Sequence, residues 1–236
     1  MKIALIIPFY NEEDNLNFFV KEWEDFLNTK KLLRNELYFF FFNDGSTDRS
    51  VKKIKENIKK LKFKIINKNN SGHGDTCRYG YNFIINNYED FDYLLQIDSD
   101  NQCDPKYITN FYNSVKAKKY KFIFGYRKYR EDGYLRYLIS RILSLCVLIK
   151  KFIYIKDVNT PYRLMNVKEL KKILISVDKN KRYNNIRLFN CALSYAIQKN
   201  SKIYWINIKF RKRVFGKSHY NFLNMSKQFI NLLVKI

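Results

Sequence analysis

Short, almost purely apolar runs alternate with stretches in which apolar residues recur every three or four positions. The runs predict strands at residues 3–7, 37–42, 63–66, 93–97 and 122–124, and the periodic stretches predict helices at 12–27, 46–61, 75–87 and 105–117. Strand and helix in strict alternation mean βαβ crossovers and an α/β fold with a mostly parallel sheet and helices on both faces. A strand covered on both faces has no polar side to show, which is the pattern of Tyr38-Phe39-Phe40-Phe41-Phe42. After Gly125 the rhythm breaks. A basic loop is expected at 127–133, then a helix over 134–154 in which Arg136, Arg141, Lys150 and Lys151 stand among Leu, Ile and Val. Such a basic amphipathic segment either lies in a membrane interface or packs as an ordinary helix. A polar loop at 157–163, helices at 168–175 and 185–199, a strand at 203–208, a basic stretch at 211–217 and an amphipathic helix at 222–234 complete the chain.

No segment is expected to cross a membrane. The most apolar later run, 142–149, has eight residues between Arg141 and Lys150, against the roughly 20 that a bilayer requires. The apolar start, Ile3-Ala4-Leu5-Ile6-Ile7, is closed by Pro8 and reads as a first strand, not as a signal peptide. Cys77, Cys103, Cys146 and Cys191 have no CxxC pairing and no zinc spacing, so reduced, mostly buried thiols in a cytoplasmic protein are expected.

Composition changes the picture through charge. The 236 residues carry a net +23, but residues 1–100 hold 15 Lys+Arg against 16 Asp+Glu and residues 101–236 hold 30 against 6, so the halves come to −1 and +24. The second half therefore faces nucleic acid, a phospholipid surface or a phosphorylated substrate, or is a solvated lysine-rich surface. With no recognised RNA- or DNA-binding motif, and with aromatic residues spread along the chain, nucleic acid is not expected as a partner.

In a parallel α/β sheet, ligands bind beyond the carboxyl ends of the strands. The polar clusters Pro8-Phe9-Tyr10-Asn11-Glu12, Asn43-Asp44-Gly45-Ser46 and Asp98-Ser99-Asp100-Asn101-Gln102 all fall there. Asn11 or Ser46 alone would be explained as a helix cap; three clusters on one sheet edge point to a shared site. Asp98 and Asp100, two apart, repel each other unless a cation neutralises them. Mg2+ or Mn2+ suits carboxylate oxygens and completes its shell with water and phosphate, with Asn101 or Gln102 able to add an amide oxygen. No His or Cys adjoins the pair in sequence to suggest zinc. Gly72-His73-Gly74 lacks the third glycine of a dinucleotide fingerprint and follows the third strand, which argues against an oxidoreductase.

These clusters resemble the family 2 glycosyltransferases of GT-A (Rossmann-like) fold, most closely their dolichyl- or polyprenyl-phosphate glycosyltransferase branch. The resemblance runs in order through residues 7–12, 43–48, 70–74, 98–102, Gly125-Tyr126-Arg127, Asp157-Val158-Asn159-Thr160-Pro161-Tyr162-Arg163 and Arg213-Val214-Phe215-Gly216-Lys217-Ser218. It implies one domain over 1–220, with 1–126 binding a GDP- or UDP-sugar and 127–220 binding the acceptor, followed by a C-terminal amphipathic helix at 221–236. It further implies that Pro8, Tyr10, Glu12, Asp44 and Ser99 contact the nucleotide sugar, that Asp98, Asp100 and Gln102 hold the metal, and that Arg127 and Arg213 lie beside the phosphates. Arg163, Arg213, Ser218 and His219 would receive an acceptor phosphate. Two departures stand out: His219 replaces the branch's usual Lys, and Pro161 replaces its Gly.

The reaction so implied is an inverting displacement at the anomeric carbon, the metal and arginines neutralising the departing nucleoside diphosphate. A polyprenyl phosphate acceptor is already ionised, whereas a sugar hydroxyl requires a carboxylate base. Asp157, the only acid between Asp132 and Glu169, is the candidate base or acceptor orienter, or else caps its loop. The basic half fits a peripheral enzyme on the inner membrane face, alone, as a homo-oligomer or with a separate membrane protein. The rival readings are a nucleotidyltransferase and a non-catalytic nucleotide-binding protein.

Overall fold

A computed structural model describes residues 1–179, 188–216 and 222–235. Strands β1 (Ile3–Phe9), β2 (Leu37–Asn43), β3 (Phe63–Asn67), β4 (Tyr93–Ile97), β5 (Phe122–Arg130), β6 (Tyr162–Asn166) and β7 (Tyr204–Phe210) form one sheet in the order β3-β2-β1-β4-β6-β5-β7. All neighbours pair in parallel except β6, which runs antiparallel to β4 and β5. The helices are α1 (Glu13–Asn28), α2 (Lys31–Glu36), α3 (Ser50–Asn57), α4 (His73–Asn87), α5 (Tyr107–Lys118), α6 (Tyr134–Lys151), α7 (Val167–Lys179), α8 (Phe189–Asn200) and α9 (Phe222–Lys235).

Side chains alternate across each strand, so the unbroken apolar runs feed two cores. Ile3, Leu5, Ile7, Phe39 and Phe41 pack with Phe19 and Trp23 of α1 and Phe111 of α5. Ala4, Ile6, Phe40 and Phe42 pack with Tyr81 and Ile84 of α4, and that core continues into α6, α7, α8 and Leu232 of α9. Gly80 is what lets α4 sit so close: a Cβ there would lie 2.8 Å from Ile6 Cγ2 and 3.1 Å from Phe42 Cε2.

The structure departs from the sequence expectation in four places. The basic segment after Gly125 is strand, not loop, as far as Arg130, because β7 pairs with it over Ile123–Arg130. The segment expected to be loop up to Arg163 becomes β6 from Tyr162 onward, wedged between β4 and β5. α2 was not expected at all, and α3 begins only at Ser50, since residues 46–48 are drawn into bonds with the first loop. Of the expected helix at 185–199, residues 185–187 lie outside the described residues.

Candidate active site

The parallel pairing of β1 with β2 and β4 brings the three polar clusters to one edge. Phe9 pairs with Asn43, and the two loops beyond are laced together. Asn11 N donates to Ser46 Oγ (3.0 Å), Thr47 N to Asn11 Oδ1 (2.8 Å) and Glu12 N to Ser50 Oγ (2.9 Å). Asn11 reaches this position at φ +51°, a left-handed conformation that Asn tolerates better than most residues. Ser46 and Asn11 therefore join loops; neither caps a helix, for α1 and α3 have no side-chain cap.

Asp44 is 3% exposed and accepts bonds from Lys68 Nζ (2.5 Å), Ser71 N (2.9 Å) and Gly72 N (2.8 Å). Burial works to raise its pKa, but the Lys68 ammonium and the two amides hold it below the usual carboxylate value. Asp44 thus pins the 68–72 loop against the sheet edge. Pro8 and Phe9 are buried within β1, while Tyr10, 37% exposed, marks where the chain emerges.

Asp98 and Asp100 leave the end of β4 with Ser99 buried between them. Asn101 at φ +61° turns the chain so that Gln102 N donates back to Asp100 Oδ1 (3.2 Å). Burial, with the neighbouring Asp98 carboxylate second, pushes the pKa of Asp100 up to about 7. A buried carboxylate whose ionisation a neighbouring carboxylate opposes suits a divalent cation. Among the described residues no three His, Cys, Asp or Glu cluster closely enough to hold one alone, so the rest of a shell would come from ligand oxygens and water. Gln102, expected as a third metal ligand, is 3% exposed and donates its amide to Arg211 O (2.7 Å), tying the loop to the chain after β7.

Glu12 and Arg213 are partners of each other. Arg213 Nη2 lies 2.5 Å from both Glu12 oxygens, Asn15 Nδ2 donates to Glu12 Oε2 (2.6 Å), and Arg213 Nε donates to Phe215 O (2.7 Å). Both charges bear on Asp100, Arg213 lowering its pKa and Glu12 raising it, so the pair borders the carboxylates.

Two expectations need correcting. Asp157 is fully buried and chelated by Arg127, Nε to Oδ2 at 2.7 Å and Nη2 to Oδ1 at 2.8 Å. Burial opposes its ionisation, yet the Arg127 charge and bonds keep its pKa below the usual value. A carboxylate with both oxygens engaged by a buried guanidinium is no general base; it orients Arg127, which also donates to Asn159 O (2.9 Å) and stacks over Phe210. Arg163, expected at an acceptor phosphate, is 0% exposed inside the sheet, where Nη1 donates to Gln96 Oε1 (2.9 Å). Its place on β6 leaves it with no exposed surface to offer an acceptor phosphate. Ser218 and His219 lie outside the described residues.

Other residues at the site carried no role in the sequence expectation. His73 Nε2 stands 3.5 Å from Asp98 Oδ1, with Cys77 Sγ 3.6 Å from the same nitrogen, so an imidazole stands beside Asp98 and a thiol beside that imidazole. The Gly72-His73-Gly74 loop was the available signal. Arg141 of α6 donates Nη1 to Tyr126 Oη (3.3 Å) and its guanidinium faces the Tyr126 and Tyr137 rings, while its buried Nε and Nη2 have no hydrogen-bond partner. It lowers the pKa of Asp157 and so lies near the Arg127 pair.

The family model for "Glycosyl transferase family 2" matches residues 4–181. An uncharacterized protein of Methanocaldococcus jannaschii is 29% identical over 175 residues, covering 70% of this chain and 72% of its own. The undecaprenyl-phosphate 4-deoxy-4-formamido-L-arabinose transferase of Proteus mirabilis is 27% identical over 149 residues, covering 62% of this chain and 43% of its own. The present chain thus spans less than half of that enzyme. The crystal structure of glucosyl-3-phosphoglycerate synthase from Mycobacterium tuberculosis with Mn2+, UDP-glucose and phosphoglyceric acid superimposes with a TM-score of 0.64 at 11% identity, over 99% of this chain and 79% of that one. That likeness shows the GT-A fold. With the model matched across most of its length, the chain belongs to glycosyltransferase family 2.

Proposed function

We propose that the protein transfers a sugar, with inversion, from a nucleoside diphosphate sugar to a polyprenyl phosphate at a membrane surface. The observation that carries the donor half is the Asp98–Asp100 pair at the end of β4, flanked by the loops after β1 and β2 and bordered by Glu12 and Arg213. Asp98 and Asp100 would hold Mg2+ or Mn2+, which when bound neutralises the diphosphate and aids its departure. Glu12, Tyr10 and Asp44 line the side on which base and ribose would lie. Arg213 would exchange Glu12 for a phosphate oxygen, a fork-shaped donor meeting an anion in either state. The structural neighbour from Mycobacterium tuberculosis holds Mn2+ and UDP-glucose, which supports this assignment.

The acceptor half rests on α6 and on Asp157. With Asp157 committed to Arg127, the base that a hydroxyl acceptor would need is lost from the expected position, whereas an ionised phosphate needs none. Arg141, only partly buried and close enough to the Arg127–Asp157 pair to lower the Asp157 pKa, would take the anion-binding role expected of Arg163. On the outside of the same helix, Leu138, Ile142, Leu145 and Ile149 form an exposed stripe at spacings of four, three and four, opposite the buried Ser140, Leu143, Ser144 and Val147. A helix apolar on both faces needs cover on its outer one. Arg136 and Lys150 of the same helix and Lys156 just after it are exposed and fit an anionic bilayer. The Proteus mirabilis relative is named for undecaprenyl phosphate. No helix among the described residues is long and apolar enough to cross a membrane.

The test is a screen of nucleotide sugars with Mn2+ and a polyprenyl phosphate, scored for lipid-linked product, with Asp100→Ala as control. Product is expected from the native chain, and none from the variant, which should also lose Mn2+-dependent nucleotide binding at a near-native Tm. Product formed only on a sugar hydroxyl would overturn the acceptor, and unchanged turnover in the variant would overturn the site.

A further inference from the structure

Arg163 is among the largest side chains with no solvent exposure, and among the described residues no carboxylate pairs with it. Nη1 donates to Gln96 Oε1 at 2.9 Å, Nη2 makes a long bond to Val158 O at 3.4 Å, Nε has no partner, and the guanidinium sits 5.6 Å from the Phe124 ring. A buried guanidinium without a counter-charge is costly, and such groups persist where an anion compensates them. The anion is one residue away: Gln96 Nε2 donates to Asp98 Oδ1 at 2.8 Å. Arg has only donors and an ionised carboxylate only acceptors, so the Gln96 amide can face them in one orientation alone, oxygen to Arg163 and nitrogen to Asp98.

The sheet dictates this line of three. Gln96 and Arg163 are directly opposite in the antiparallel β4–β6 register, and side chains so placed are close neighbours on one face. Asp98 follows Gln96 by two residues and starts from the same face. β6, the strand that breaks the parallel order, is thus what delivers a positive charge behind the carboxylate.

We infer that Arg163 and Gln96 are positioning residues that fix Asp98: Oδ1 is held inward by the polarised amide, leaving Oδ2 directed to the divalent cation and diphosphate. This rests on the proposed role of Asp98 as a ligand of that cation. Outer partners that orient a metal-binding side chain typically affect metal affinity by about 10–100-fold when removed.

The experiment titrates Mn2+ into the protein with UDP, reading free Mn2+ by electron paramagnetic resonance, alongside metal-free thermal unfolding. Gln96→Met keeps the side chain's length and breaks both bonds; its metal-free Tm should fall, because the buried Arg163 guanidinium loses its partner, and at a temperature where it is still fully folded it should weaken Mn2+ binding by about 10-fold or more. Gln96→Glu, which still accepts from Arg163 but repels Asp98, should weaken it further. In turnover, Gln96→Met should raise the Mn2+ concentration needed for half-maximal rate more than it lowers kcat at saturating Mn2+. Native Mn2+ affinity in Gln96→Met overturns the inference when Asp98→Ala has lost binding. Native affinity in Asp98→Ala overturns the metal role of Asp98 itself, and with it the reading on which the inference rests.

Discussion

At the scale of single residues, the Arg127–Asp157 pair is the group whose removal should be felt most. Both partners are buried and joined by two bonds, so deleting one leaves the other charge uncompensated. Asp157→Asn should cost about 3–5 kcal/mol, measured by denaturant unfolding, and should impair turnover by freeing Arg127. The sign of the pH effect follows from the lowered pKa of Asp157. The pair's contribution is present above the unfolded-state pKa of about 3.9 and is lost as pH falls through the lower folded-state pKa. The acid limb of a Tm-against-pH curve should therefore be steeper in the native chain than in Asp157→Asn, and parallel limbs would count against the pair. Asp157 was legible as the solitary acid of a basic stretch, but its partner was not: only the extension of β5 through Arg127 sets the two face to face.

At the scale of elements, strand ends were legible and strand neighbours were not. Apolar runs located β1 to β4, and the polar residues closing them located the carboxylates, because a parallel strand must be apolar throughout and must end in ligand-binding loops. β6 was invisible for the same reason inverted. Tyr162-Arg163-Leu164-Met165-Asn166 carries a charge at its centre and follows Pro161, a pattern that reads as loop until Gln96 and Asp98 supply the compensation. The Arg163 phosphate role failed with that misreading. Packing between elements gives its own prediction at Gly80, where α4 crosses β1 and β2. Gly80→Ala adds helix propensity but forces Ile6 or the Phe42 ring aside, and a net loss of about 1–3 kcal/mol is expected from overpacking. A gain in stability would mean that Ile6 can yield.

At the scale of the whole molecule, the positive charge and the exposed apolar stripe of α6 fall in the same half of the chain. The half of the chain that carries +24, residues 101–236, contains α6, whose outer stripe continues at Phe152, 89% exposed, and Tyr154. α9 lies against α6 through Leu232, with Lys150 bonded to the Leu233 carbonyl, and leaves Ile230 and Val234 outward. Neither signal alone would hold a protein on a bilayer; on the proposed membrane reading the two together would act as an apolar wedge and an electrostatic tether. Native protein should sediment with vesicles containing phosphatidylglycerol at low salt and be released in part as salt rises, screening the cations but not the wedge. Each apolar side chain withdrawn from the interface removes about 1.5–3 kcal/mol. Ile142→Glu with Ile149→Glu should therefore abolish sedimentation while leaving Mn2+-dependent UDP binding intact. The same variant should keep turnover on a short, water-soluble prenyl phosphate and lose it on acceptor embedded in vesicles, separating docking from chemistry. Equal sedimentation with purely neutral vesicles would remove the electrostatic tether. A native chain that forms a dimer in solution, dissociated by the same two substitutions, would show that a second copy covers the stripe.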